Sequence, residues 1–111
     1  MSEQSGTPKG KVFNLVNHID SAEGSVVSKT LVKKESGTIT LFAFDQGQGL
    51  SEHTTPFDAF VHILDGEAQI TIGDQSLTAV TGETVIMPAN VAHALQATAR
   101  LKMLLVMIRG D

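Results

Sequence analysis

Residues 59–80, AFVHILDGEAQITIGDQSLTAV, decide the fold. They contain three apolar runs, 59–64, 68–72 and 75–80, divided by Asp65-Gly66 and Gly73-Asp74. Dipeptides of this kind close tight hairpins, because glycine accepts positive φ without a steric penalty. The runs are too short and too closely spaced for helices, so this stretch reads as consecutive antiparallel strands.

The same grammar extends in both directions. Residues 26–34 (VVSKTLVKK) and 38–45 (TITLFAFD) are rich in β-branched and aromatic side chains, with a turn at Glu35-Ser36-Gly37. In the second run Ile39, Leu41 and Ala43 alternate with Phe42 and Phe44. Both faces therefore carry apolar groups, and the strand lies between two packed layers. Gln46 to Leu50 (QGQGL) has two glycines and ends that strand, and a loop with Pro56 follows. On the far side, Thr81-Gly82 makes a turn, residues 84–87 form a short strand stopped by Pro88, and residues 93–97 and 101–108 complete the set. Residues 11–21, with Val12, Phe13, Leu15, Val16 and Ile19, form an edge strand or a helical turn, and periodicity does not decide between them. Residues 1–10 (MSEQSGTPKG) read as a flexible tail, and residues 11–111 as a single all-β domain, a sandwich or closed barrel.

Composition narrows the function. The chain of 111 residues is 41% hydrophobic and 18% charged, which places it among globular single domains. It has no cysteine, which removes disulfides, thiolate metal sites and cysteine nucleophiles. The net charge of −4 and the lack of a basic cluster argue against nucleic acid as a partner. Leu104 to Ile108 is the longest apolar run and is far too short to span a bilayer, and residues 1–10 lack the apolar core of a secretory signal. A cytoplasmic protein without membrane contact is the expectation.

Two spacings carry chemistry. One is Gly47-x5-His53-x-Thr55-x3-Ala59-x6-Gly66, the other Gly82-x5-Pro88-x-Asn90-x2-His93-x3-Ala97. They resemble the two signature motifs of the cupin family, Gly-x5-His-x-His with Glu and Gly following, and Gly-x5-Pro-x-Gly-x2-His-x3-Asn. The resemblance implies a double-stranded β-helix of two facing antiparallel sheets, with a pocket at one mouth. It also implies an open first-row metal site of three His and one Glu. Here His53 and His93 stand at the first and last ligand positions, Thr55 replaces the second His, and Ala59 replaces the Glu. The resemblance thus implies a weak divalent metal (Zn, Ni, Mn or Fe) held by His53 and His93, beside the reading of two hydrogen-bonded barrel histidines. Phe44, Thr55, Val61, Ile63 and Met87 are expected to ring the pocket.

Neighbouring residues offer few substitutes. His62 lies three positions after Ala59, so alternation places it on the opposite face unless the strand is bulged. Asp58 has the same parity, Glu52 faces solvent and His18 is expected to be solvated. Lys102 and Arg109 read as outward-facing charges. Ser51 and Thr55 lack a placed acid for a hydrolytic triad. The functional expectation is a small-molecule-binding barrel of unspecified reaction; the alternative is a metal-free ligand-binding or sensing domain. A homodimer is expected, because strands with two apolar faces are hard to bury in a chain this short.

Overall fold

The computed structural model describes residues 2–4 and 9–109, and side chains for residues 9–109. In chain order the strands are β1 Ser2–Gln4, β2 Val26–Lys34, β3 Gly37–Phe44, β4 Gly49–His53 and β5 Phe57–Asp65. They continue with β6 Glu67–Ile72, β7 Gln75–Val80, β8 Thr84–Met87, β9 His93–Ala97 and β10 Leu101–Arg109. One sheet has the order β1-β2-β3-β10-β5-β8, the other β4-β9-β6-β7. All pairings are antiparallel except β1 with β2. The two sheets face each other as the double-stranded β-helix requires. No helix among the described residues is long and apolar enough to cross a membrane. Of the expected N-terminal tail, Ser2–Gln4 lies parallel to Val27–Lys29 of β2, Lys9 and Gly10 are exposed, and residues 1 and 5–8 fall outside the described residues.

The core fills the space between the inner faces. Phe42 and Phe44 of β3, Ala59, Val61 and Ile63 of β5, Leu101 and Met103 of β10, and Ala68 and Ile70 of β6 are all buried there. Phe42 and Phe44 stack with centroids 5.7 Å apart. β4 is the strand that the sequence pattern hides. Its residues, GLSEH, include no β-branched side chain, and four of the five are exposed. It is held by pairing with β9, not by a buried face of its own.

The outer face of the larger sheet is partly covered from within the chain. Residues 11–21 form neither strand nor helix but a turn, closed by the Leu15 carbonyl accepting from the His18 N–H at 3.1 Å. This segment buries Ile19 against Val27, Leu41 and Ala43, with Leu15, Leu31, Leu64 and Leu104 around them. Lys29 and Lys102 reach up from the sheet, their Nζ donating to the carbonyls of His18 at 3.0 Å and Val16 at 2.7 Å. Lys102 does face outward, but it anchors the segment. His18 is half-buried against Phe13, at 4.5 Å between ring centroids, rather than solvated. At the segment's end Asp45 accepts from the Gly24 N–H at 2.7 Å and the Gln46 N–H at 2.9 Å, and pairs with Arg100. Those donors hold its carboxyl below the ordinary value.

Gly66 shows how tightly the β5–β6 turn is fitted. Its φ is 111°, and an added Cβ would collide with the Arg100 carbonyl oxygen. Gly47, with φ 87°, has open space around it. Gly66→Ala should therefore destabilise the fold by about 3 kcal/mol or more, and Gly47→Ala by about 1–2 kcal/mol from backbone strain alone. Urea unfolding of both variants measures the difference; equal losses would mean that the turn yields without cost.

Candidate functional site

The site forms where β4 and β9 pair at one mouth of the barrel. His53 and His93 are direct register partners. Their rings meet edge to face at 4.4 Å between centroids, and the two Nε2 atoms are 3.2 Å apart. His93 is 4% exposed, whereas His53 lies open at the rim. Each ring is oriented from behind. His53 Nδ1 lies 2.8 Å from the Ser51 carbonyl, and His93 Nδ1 lies 3.2 Å from the Val91 carbonyl. A carbonyl only accepts, so each Nδ1 must carry the proton that it donates. In the neutral rings both Nε2 atoms then present lone pairs to the same point. Two facing lone pairs are satisfied only by a shared proton or a cation.

The loops around the mouth fix this arrangement. Asp58 does not reach the histidines; its Oδ1 accepts from the Ala89 N–H at 2.9 Å. The Thr55 carbonyl accepts from the Asn90 N–H at 2.8 Å, and its Oγ1 accepts from the Phe57 N–H at 3.3 Å. The β4–β5 and β8–β9 loops are thus clasped together. Asn90 has φ 65°, the only positive value for a non-glycine side chain among the described residues. Asparagine tolerates this left-handed conformation better than most residues, so it can serve where the family motif has glycine.

Below the imidazoles lies a mostly apolar cavity lined by Leu50, Ala59, Met87, Leu95, Met103 and Met107, among others. Its free volume is about 30 Å³, room for on the order of two waters. Of the expected ring residues, Met87 lines it. Phe44, Val61 and Ile63 lie in the core with no exposed surface, and Thr55 belongs to the loop clasp. Met103 and Met107 are not among the expected ring residues, yet they also line the cavity. β10 brings Met103 and Met107 to the cavity, and only the strand register reveals it. His62 is on the outer face, its Nδ1 sharing a hydrogen bond of 2.8 Å with Thr84 Oγ1. Glu52 is exposed. Arg109 stacks over the Phe57 ring at 5.7 Å.

The imidazole pair fits half of a metal site. Two nitrogen ligands at about 2.0–2.1 Å from a tetrahedral ion stand about 3.3–3.4 Å apart, close to the 3.2 Å seen here. Protonated Nδ1 atoms held on carbonyls are the usual outer support of such ligands. The anionic half is missing. Among the described residues no three His, Cys, Asp or Glu side chains gather where they could share an ion.

A two-sheet β-helix with a histidine pair at its mouth defines the class of protein. Residues 40–108 match the family model of the cupin domain, and the chain belongs to the cupin family. It is similar in structure to a conserved protein of unknown function from Streptococcus pyogenes, with 36% identity and a TM-score of 0.89 over 94% of this chain and 91% of the other. It is likewise similar to a cupin superfamily protein from Desulfitobacterium hafniense, with 32% identity and a TM-score of 0.87 over 93% and 94% of the two chains. A cupin 2 conserved barrel domain protein from Leptotrichia buccalis shares 37% identity at a TM-score of 0.84, over 87% of this chain and 47% of the other. No curated protein matches the chain.

Burial is the main force holding the His93 imidazole below the ordinary histidine pKa, and the facing charge of His53 adds to it; the Val91 carbonyl pulls the other way. The folded state therefore favours neutral His93. On acidification the unfolded chain takes up its proton first, near the ordinary histidine value of 6.5. Between there and the lower folded value, stability rises with pH and is lost as pH falls. In chelator-treated protein the melting temperature should drop between about pH 7.5 and about pH 5.5, and His93→Gln should flatten that slope. An unchanged slope would place the titrating group elsewhere.

Proposed function

We propose that this cupin binds a small molecule at the barrel mouth, with a metal ion held weakly between His53 and His93 as the polar contact. The observation that supports it is the convergence of two Nε2 lone pairs above a mostly apolar cavity. The ion would offer its remaining positions to the bound molecule or to water. Zn, Ni, Mn and Fe are the ions that the family motifs suggest. With two neutral protein ligands and no carboxylate, the affinity for any divalent ion is low. A cytoplasmic location is part of this reading, supported by the acidic, cysteine-free sequence. The lack of a third imidazole, thiolate or carboxylate among the described residues favours a second reading, a metal-free binding or sensing domain in which the imidazole pair shares a proton and receives an anionic group.

Equilibrium dialysis with Zn(II) and Ni(II) separates the two. Binding should vanish in His53→Ala and in His93→Ala and persist in His62→Ala. Ala59→Glu should strengthen it at least tenfold, since Ala59 is buried on the cavity wall and a carboxylate there adds an anionic ligand. Absence of binding in every variant would leave the metal-free reading. Loss in His62→Ala would overturn the placement of the site.

We also propose that a second copy of the chain covers the part of the larger sheet's outer face that residues 11–21 leave open. Val32, Ile39, Val106, Phe60 and Ile86 form one apolar row across five strands by register. Ile86 is 61% exposed and Ile108 59%. Five strands at about 4.8 Å spacing and some 20 Å of strand length give a face of about 500 Å² per partner. That total of about 1,000 Å² is at the lower limit for a specific interface. Sedimentation should show a dimer that Ile86→Lys dissociates; a monomer at every concentration would refute it.

A further inference from the structure

We infer that the site selects a soft monovalent cation, copper(I), with the thioether sulfurs of Met87 and Met107 joining the imidazoles of His53 and His93. The inference rests on the histidine pair proposed above as the metal holder, and it adds the identity of the ion and of the missing ligands. The argument starts at Ala59, which stands where the family motif has its carboxylate. Its direct register partners are Met87 on β8 and Met107 on β10. Directly opposed residues have Cβ atoms about 4.5–5.5 Å apart, so two methionines flank the vacant position from both sides. A methionine carries its sulfur at the δ position, as many bonds from the backbone as the carboxyl carbon of a glutamate. Both methionines line the same cavity as the histidines.

Charge and softness point to the same ion. Every donor available at the mouth, two imidazoles and the thioethers, is neutral. A dication bound by them would keep its full double charge beside a mostly apolar wall. The idealised cost of desolvating an ion grows with the square of its charge, so a dication costs about four times as much as a monocation of equal size. Thioether sulfur is a poor ligand for Mn, Mg or Ca and a good one for Cu(I). Substitution of alanine for the carboxylate thus removes the group that a hard dication needs, and the flanking methionines supply the group that a soft monocation prefers. The open rim at His53 gives the ion a way in, and Met87, 5% exposed, gives it a dry wall.

The test is an anaerobic titration of the full chain with Cu(I) against a chromophoric Cu(I) chelator, beside dialysis with Zn(II). Wild type should bind one Cu(I) per chain, and X-ray absorption should show sulfur in the first shell as well as nitrogen. Met87→Leu and Met107→Leu keep side-chain volume nearly constant. Each should weaken Cu(I) at least tenfold and change Zn(II) binding less than twofold. If neither metal binds wild type, the histidine-pair reading fails, and this inference with it. If Zn(II) binds through the histidines but Cu(I) is insensitive to both methionines, or its absorption spectrum lacks sulfur, only the copper assignment is overturned. The sulfur signature is read on wild type, so the inference stays testable even if a leucine variant does not fold.

Discussion

Strand β10 carries the barrel. It pairs along almost its whole length with β3 on one side and β5 on the other. Its alternate residues therefore do two jobs: Leu101, Met103, Leu105 and Met107 pack into the interior cluster, while Leu104 and Val106 sit on the outer face. The period of two is strict, so a one-residue slip would turn the cavity methionines outward and Lys102 inward. While the pairing with β3 runs unbroken, a register irregularity lies between Lys102 and Met103 opposite β5. It lies beside the point where Gly66 approaches the Arg100 carbonyl. Beyond that point the register of β10 with β5 is continuous to Arg109, which sets Met107 level with Ala59.

The imidazoles come from the other sheet and are fixed by different forces. β4 has little apolar surface to bury, and its position depends on the ladder to β9 and on the clasp between two loops. Asp58, Thr55 and Asn90 hold that clasp. The cost of any error here is angular rather than hydrophobic, because a rotated His53 would lose both its carbonyl partner and its approach to His93. The mouth is therefore a precise polar arrangement set on a barrel whose stability comes mainly from packing elsewhere.

The strands built from alternating or β-branched residues were legible in the sequence, since burial writes that pattern directly. The histidine pair was legible because motif spacing survives the loss of intervening ligands. β4 was not, because pairing alone leaves no hydrophobic signature in GLSEH. How deep each inward residue lies is hidden for a related reason. Phe44, Val61 and Ile63 share the inward parity of true cavity residues, but parity says nothing of depth, and they sit in the packed interior. Met107 has the same parity and lies level with Ala59, a fact visible only once β10 and β5 are paired. Residues 11–21 were ambiguous because the segment is irregular and is held by two lysines from distant strands.

The replacement of the carboxylate position by alanine also changes what the empty barrel can be. An ionised glutamate facing an apolar wall is costly without a cation, and its pKa rises until it takes a proton. A barrel with Ala59 and three methionines avoids that conflict. The cavity that remains has room for about two waters, so the interior stays close to native packing density. Methionine is unbranched and has three rotatable bonds, so the wall can reopen by side-chain rotation without moving the sheets. Anything larger than water that enters the mouth must displace those thioethers. A ligand seated at this mouth would therefore have to repack Met87, Met103 and Met107.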